Sequence, residues 1–385
     1  MKYLGLALVT ILLLSWSLII TGCQSREVEQ TAIAVGTAAD WSEDSFVVTV
    51  QLAQAVTQEQ SSTQESPESI VLSERGQTLS ESARRLNLLL PRLPLWFHAS
   101  TLLLGEDLAK RGITDIVDFL YRSINIRHNT LLVMTRGATA AEVLQVQTPL
   151  EPHSAAAIRR ILETQENQTG IYVPITVDEF LYRIATPGID PVLPQVRIII
   201  QGGQKLLKID GMAVFRGTEW AGELNETESR GFRFLSPKQI RGGLIIIPAP
   251  GDETRFVTIE LISSQAKAKP ILEEGQLRML VEIKADGNFY DQTSPLPLVN
   301  LETFNILEEM TAHQMEKEIY QAVRKAQEYK ADIFGWGRLV QINDPALWSQ
   351  VEKDWPEVFS QIAVDVKVDF ELRRTYLTDR SFIIK

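Results

Sequence analysis

The chain has 385 residues, of which 44% are hydrophobic and 23% charged, so its composition is that of a globular protein. Its length exceeds that of one ordinary domain and predicts two or three. The formal net charge of −11 argues against a nucleic-acid-binding protein, which needs a basic surface to neutralise phosphates. A single cysteine, Cys23, excludes a disulfide framework within the chain and any site built from several cysteines.

The chain begins with an apolar segment that ends at this cysteine. After Lys2 the residues are apolar from Leu4 to Ile20, and Thr-Gly-Cys follows before the sequence turns polar. This order predicts a signal peptide over residues 1–22, cleaved before Cys23 as in bacterial lipoproteins. Cys23 would then carry a diacylglyceryl thioether and an N-acyl chain such as palmitate, which together hold a protein on a bilayer. The alternative is a transmembrane anchor with a buried cysteine.

The first half of the remaining chain predicts strands that alternate with helices. Alternating apolar residues predict an interior strand from Phe46 to Ala53, and the polar run 58–69 predicts a surface loop. Thr78 with Glu81, and likewise Thr139 with Glu142, have the spacing of capping boxes, which begin helices. Further strands are expected at 100–104 and 130–135, and further helices at 106–111, 115–121, 155–164 and 177–184.

The second half predicts antiparallel strands packed by a long helix. An apolar stripe with helical period, from Phe304 to Tyr329, predicts a helix over residues 303–331. A shorter helix is expected to carry Trp348 and Trp355 on one face, buried in the core. The residues from Val364 to Arg373 alternate as in a strand with one buried face. Antiparallel strands are expected at 196–200, 205–215, 243–247, 256–263 and 276–285.

These elements predict an α+β protein in which mixed or antiparallel sheets are flanked by helices, with the long helix near the C-terminus. The pattern of elements changes near Pro194–Gly203. We therefore expect an N-terminal α/β region over residues 23–200, made of one or two subdomains. A C-terminal α+β domain is then expected over residues 201–385.

Residue types that carry catalysis are present without a recognisable motif. No HExxH, GxSxG, P-loop or GxGxxG pattern occurs, and Gly335-Trp336-Gly337 is expected to be a turn. His313 lies near Glu309 and Glu316 at helical spacing, but opposite the apolar stripe, which indicates a solvated face in preference to a metal site. The sequence therefore predicts no catalytic residue, no metal and no cofactor. The scattered histidines are His98, His128, His153 and His313.

Several short segments occur in an order and at a spacing that are specific when taken together. They are the lipobox at Cys23, Ala34–Asp40, Gly76–Arg84, Pro91-Arg92, His98, Gly105–Ala109, Arg122, Arg127, Gly211–Phe215, Gly222–Leu224, Gly231, Ala331–Gly337, Trp348, Trp355 and the terminal strand. In these segments the chain resembles the Ger(x)C lipoproteins, the C subunits of GerA-type nutrient germinant receptors of endospore-forming bacteria. It departs from them at Gln24–Glu27, where an aromatic residue is usual, and at Ala38-Ala39.

The resemblance implies a non-enzymatic, lipid-anchored subunit on the outer face of the inner spore membrane, with a multi-domain α+β fold. It further implies assembly with the A and B membrane subunits of the germinant receptor, the B subunit holding the nutrient. The alternative hypothesis is a lipid-anchored extracytoplasmic binding protein for a small nutrient. A lipid-anchored hydrolase is weaker, because no pair of nucleophile and base can be named in the sequence.

Overall fold

The computed structural model of the protein describes Tyr3 and residues 30–53 and 69–375. Cys23, the rest of the predicted signal peptide apart from Tyr3, and most of the predicted polar loop lie outside the described residues. The described part folds into two sheets with helices packed against them, which confirms the predicted α+β class.

The first sheet has nine strands and begins the described chain. They are β1 (Thr31–Ser42), β2 (Ser45–Leu52), β3 (Ile70–Gly76), β4 (Leu93–Leu95), β5 (Thr101–Leu104), β6 (Leu131–Thr135), β7 (Val192–Gln201), β8 (Gln204–Arg216) and β9 (Glu219–Leu224). Their order is β3-β2-β1-β5-β6-β7-β8-β9, with β4 beside the start of β1. The central strands β1, β5, β6 and β7 are parallel, and an antiparallel pair of strands is added at each edge.

Helices pack on both faces of this sheet. Within the described residues they are α1 (Leu79–Arg85), α2 (Glu106–Arg111), α3 (Thr114–Arg122), α4 (Ala140–Leu144), α5 (Ser154–Gln168) and α6 (Val177–Ala185). Thr139 and Glu142 form the predicted capping box of α4. Thr78 caps α1 as predicted, although the Glu81 carboxylate accepts from the Gln77 amide. Because both faces are covered, β5 and β6 are buried along their whole length.

The second sheet is built on a long antiparallel hairpin. Its strands are β10 (Ile240–Arg241), β11 (Leu244–Ala249), β12 (Asp252–Glu273), β13 (Gln276–Gln292) and β14 (Ala363–Thr375). β12 pairs with β13, β10 and β11 pair with the other edge of β12, and β14 runs parallel to β13. The helices of this half are α7 (Glu226–Phe234), α8 (Leu301–Glu328), α9 (Trp336–Asn343), α10 (Pro345–Val351) and α11 (Trp355–Gln361).

The long helix α8 and the last strand have the predicted buried faces. α8 packs against α7, β11 and β14. In β14 the apolar residues Val368, Phe370 and Leu372 are buried, while the residues between them are exposed. The α8 residues on the predicted apolar stripe that are fully buried are Leu307, Thr311, Met315, Ile319, Ala322 and Ala326.

The prediction of one helix carrying both Trp348 and Trp355 is wrong. A new helix, α10, begins after Asp344 because Pro345 has no N–H to continue α9, and a 3₁₀ turn at Glu352–Asp354 separates α10 from α11. Both indoles are nevertheless buried, with ring centres 5.3 Å apart, as expected of core residues.

The predicted boundary between residues 200 and 201 falls inside the β7–β8 hairpin, between the last two residues of β7. The first sheet continues beyond this point through β8 and β9 to Leu224. The division of the chain into domains at residue 200 stays a prediction.

Candidate functional site

Cys23, the predicted site residue, lies outside the residues that the structure describes. Among the described residues, no three side chains of metal-binding type cluster together. In the same part of the chain, no helix is both long and apolar enough to cross a membrane. Three of the histidines are exposed, and burial lowers the pKa of the fourth, His153.

The densest polar site is the segment 331–337, a turn that leads into the first two residues of α9, and we call it the Asp332 turn. Asp332 is 1% exposed, and its carboxylate accepts five hydrogen bonds. The amides of residues 334–337 donate over 2.7 to 3.2 Å, and Nε1 of Trp355 donates over 3.0 Å. Burial raises the pKa of Asp332 to about 7, although these donors favour the charged form. A carboxylate with so many donors has no acceptor site left for a substrate.

The Asp332 turn also joins the two halves of the chain. The Asp190 carboxylate accepts from the Asp332 amide over 2.7 Å, and the Asp190 amide donates to the Asp332 carbonyl over 2.8 Å. Arg183, on α6, donates to a carbonyl of the turn over 2.9 Å. A Cβ at Gly337 would lie 2.6 Å from the Cα of Gly188, so only glycines allow this approach. These contacts fix α9 against the loop that precedes β7.

A second buried carboxylate, Asp40, joins β1 to α4. It accepts from the amides of Ala140 and Ala141 over 2.8 and 3.0 Å, at the first turn of that helix. Burial raises the pKa of Asp40. A Cβ at Gly105 would lie 2.0 Å from Asp40 Oδ1, so the glycine makes room for the carboxylate. Asp40 and Gly105, both in segments that carry the family resemblance, therefore act in the fold.

A buried ion pair connects α7 to α8. Arg230 donates from Nε and Nη2 to the Glu318 carboxylate over 2.6 and 2.5 Å, and Gln314 donates to the same carboxylate over 2.7 Å. Glu318 is fully buried. The next residue, Gly231, allows the two helices to touch, because a Cβ there would lie 2.1 Å from the Glu318 carbonyl oxygen.

A cavity of about 380 Å³ lies between the first sheet and helices α1 and α3. Thr37 and Leu102 line it from the sheet, and Ala83 lines it from α1. The buried Thr37 hydroxyl has no hydrogen-bond partner among the described residues. The described lining includes the cations Arg84 and Arg122 and no acidic side chain. Its volume is that of a small-molecule site.

The sites described above are buried carboxylates and an ion pair that hold helices and strands to one another, together with a small cavity. They belong to a two-sheet α+β protein.

Two family models match this chain along most of its length. The model described as spore germination protein N-terminal domain matches residues 24–198. The model described as spore germination B3/GerAC like, C-terminal, matches residues 210–376. The chain therefore belongs to the Ger(x)C family of spore germination proteins, which confirms the resemblance seen in the sequence.

Relatives from Bacillus subtilis (strain 168) are similar over nearly their whole length. The chain is 24% identical to spore germination protein KC, over 96% of each chain. It is also 24% identical to spore germination protein B3, over 92% of this chain and 94% of that protein. The crystal structure of the GerBC protein matches with a TM-score of 0.58 and 21% identity, covering 90% of this chain and 99% of that chain. The last comparison shows a shared fold.

Sequence reasoning did not assign roles to Asp332, Arg230 or Glu318. The sequence does contain a local signal for Asp332, because an aspartate three residues before a glycine commonly accepts hydrogen bonds from the amides of a turn. The ion pair leaves no such local signal, since its partners are 88 residues apart in the chain.

Proposed function

We propose that the chain is a lipid-anchored subunit of a spore nutrient germinant receptor, attached to the membrane through Cys23 and acting by protein contacts without catalysis. The observation that carries this proposal is the pair of family matches, which begin at residue 24, immediately after the predicted lipid attachment site. The subunit would support receptor assembly and the germination response.

The expected partners are the A and B membrane subunits of the receptor, together with the bilayer reached through the acylated cysteine. We place the protein on the outer face of the inner spore membrane. The spore germination names of its relatives support this assignment. The role of Asp332, Asp40 and the Arg230–Glu318 pair as structural connections supports a binding subunit over an enzyme.

Lipid attachment is tested on the protein made in its sporulating host. We expect mass spectrometry of the N-terminal peptide to show a chain that begins at Cys23 with a diacylglyceryl group and an N-acyl group. Cys23→Ala should keep residues 1–22, lack the acyl chains and fail to support germination, while Ser25→Ala should behave as the wild type. An unmodified Cys23 in the wild-type chain would contradict the anchor.

The receptor assignment is tested by detergent pull-down of the tagged protein from spore membranes. Recovery of multi-pass A and B subunits is the expected result. One observation favours a second function, a lipid-anchored binding protein for a small nutrient: the cavity beneath α1 and α3 has a suitable volume and an unpartnered hydroxyl. Recovery of a transport permease in place of the A and B subunits would establish that function instead.

A further inference from the structure

One segment of the surface combines a basic composition with several exposed large apolar side chains. From Ser82 to Gly105 the chain has three arginines and no acidic residue, although the whole chain has a net charge of −11. Four large apolar side chains of the segment stand in solvent. They are Leu88, Leu89, Leu93 and Phe97, which are 76%, 50%, 39% and 37% exposed.

The positive charge of this segment is only partly neutralised. Arg85 pairs with Glu74 over 3.4 Å, whereas neither Arg84 nor Arg92 has an ion pair among the residues that the structure describes. Arg127 stands over the ring of Phe97 at 5.8 Å. Exposed leucines and aromatic rings beside uncompensated arginines are the composition of surfaces that bind the interface of an anionic bilayer.

The end of helix α3 extends the same surface. Tyr121 and Ile124 are 81% and 94% exposed. Ile124 lines the cavity between α1 and α3 together with Trp96 and Arg84 of the basic segment, so the two stretches of chain are neighbours. The cavity therefore lies beside this surface.

The start of the first sheet brings the surface close to the proposed anchor. β4 pairs with the first residues of β1, Thr31 with Leu93 and Ile33 with Leu95. The eight residues from 24 to 31 can span at most about 28 Å even when fully extended. A lipid on Cys23 therefore holds Thr31, and with it Leu93, within that distance of the membrane.

We propose that this surface docks on the bilayer that holds the anchor, with its apolar side chains at the level of the lipid headgroups and its arginines against anionic phosphates. We call it the membrane-facing surface, made of Arg84–Phe97 with Tyr121, Ile124 and Arg127. The inference rests on the proposed lipid attachment at Cys23. It adds a second membrane contact. This contact fixes the orientation of the protein on the bilayer, whereas the acyl chains alone only attach it.

The single native cysteine gives a direct test. Once Cys23 is acylated, an introduced cysteine is the free thiol of the chain and can carry an environment-sensitive fluorophore. We would label Leu88→Cys on the membrane-facing surface and Leu272→Cys, 57% exposed near the end of β12, in the full acylated chain on vesicles of phosphatidylglycerol and phosphatidylcholine. The label at 88 should shift to the blue and be quenched by quenchers on the acyl chains, whereas the label at 272 should be quenched by iodide.

Charge reversal separates docking from anchoring. In the Leu88→Cys chain, the pair Arg84→Glu and Arg92→Glu should lower the ratio of bilayer-embedded to water-exposed label by about fivefold or more per arginine, while the acyl chains still retain the protein on the vesicles. The matched pair Lys238→Glu and Arg241→Glu, both exposed in the second half of the chain, should change nothing.

A retained, acylated chain whose label at position 88 stays in water would overturn the docking and leave the anchor intact. Protection of that label only when the A and B subunits are present would also overturn it, because the surface would then be a protein interface. A wild-type chain without acyl groups at Cys23 would overturn both the anchor and this inference.

Discussion

Asp332 shows how one buried side chain organises a region of this protein. A lone buried carboxylate is costly, and here four amides and one indole N–H offset part of that cost. The same donors would otherwise be unpaired in the interior. The one carboxylate thus accepts hydrogen bonds from the backbone amides of the turn and of the start of α9, and from the indole of Trp355.

We expect Asp332→Asn to lower the free energy of unfolding by about 1–3 kcal/mol. The side-chain amide has an NH₂ group in place of one carboxylate oxygen, and this group would face N–H donors that then have no acceptor. Urea denaturation at about pH 8.5, above the pKa of about 7 of Asp332, measures the change against the charged carboxylate. Asp354→Asn, at an exposed position before α11, serves as the control and should have little effect. Equal stability of Asp332→Asn and the wild type would show that the five donors do not require a carboxylate.

The secondary-structure elements that the sequence predicts best are those with a complete local signal. Capping residues start α1 and α4, and the apolar stripe of α8 needs no knowledge of its neighbours. The sequence does not predict β1, because this strand is rich in alanine and buried along most of its length and so has no apolar–polar alternation. The helical pattern of α7 is interrupted by Gly231, so the sequence does not predict this helix, although Asn225 and Glu228 form a capping box at its start.

Gly231 gives the test at this scale. In an isolated helix, replacing glycine by alanine stabilises the helix by up to about 1 kcal/mol. Here a Cβ would meet the Glu318 carbonyl at 2.1 Å, so we expect Gly231→Ala to destabilise the protein by about 1–3 kcal/mol. Thermal or urea denaturation measures the change in the free energy of unfolding, and the sign of that change distinguishes the two expectations. A more stable Gly231→Ala variant would mean that α7 and α8 can move apart at no cost.

At the scale of the whole molecule, the two sheets are connected by contacts that no local sequence pattern predicts. Asp190 and Arg183 meet the Asp332 turn across about 140 to 150 residues of chain. The sequence predicted the fold class and the family, both from ordered local segments, but such long-range partners depend on the completed fold. The predicted lipid site Cys23 stays a prediction.

The pH dependence of stability follows from three aspartates, the buried Asp40 and Asp332 and the half-buried Asp190, whose pKa values are all raised by desolvation. The folded protein holds these protons more tightly than the unfolded chain. The stabilisation is therefore present below the ordinary carboxyl pKa and is lost as pH rises through the folded pKa, about 7 for Asp332. We expect Tm to fall from about pH 5.5 to about pH 8.

A calorimetric pH series on the wild type and Asp332→Asn checks this expectation. The variant should lose a large part of the slope. His153 acts in the opposite sense below its ordinary pKa, since burial lowers its pKa in the folded protein. A Tm that rises steadily over the same range would show that the aspartates are not the dominant titrating groups.

The long hairpin of the second sheet also has a consequence for how copies of the protein behave at high local concentration. β10 and β11 cover one edge of β12 only as far as Ser264, and from Gln265 to Glu273 that edge has no neighbouring strand among the described residues. Open edges of this kind recruit strands from other chains. Here Lys267 and Lys269 are exposed along it, and Pro270 presents no N–H. Like charges and a missing donor discourage a second copy from extending the sheet, so copies of the protein that come close together do not join edge to edge.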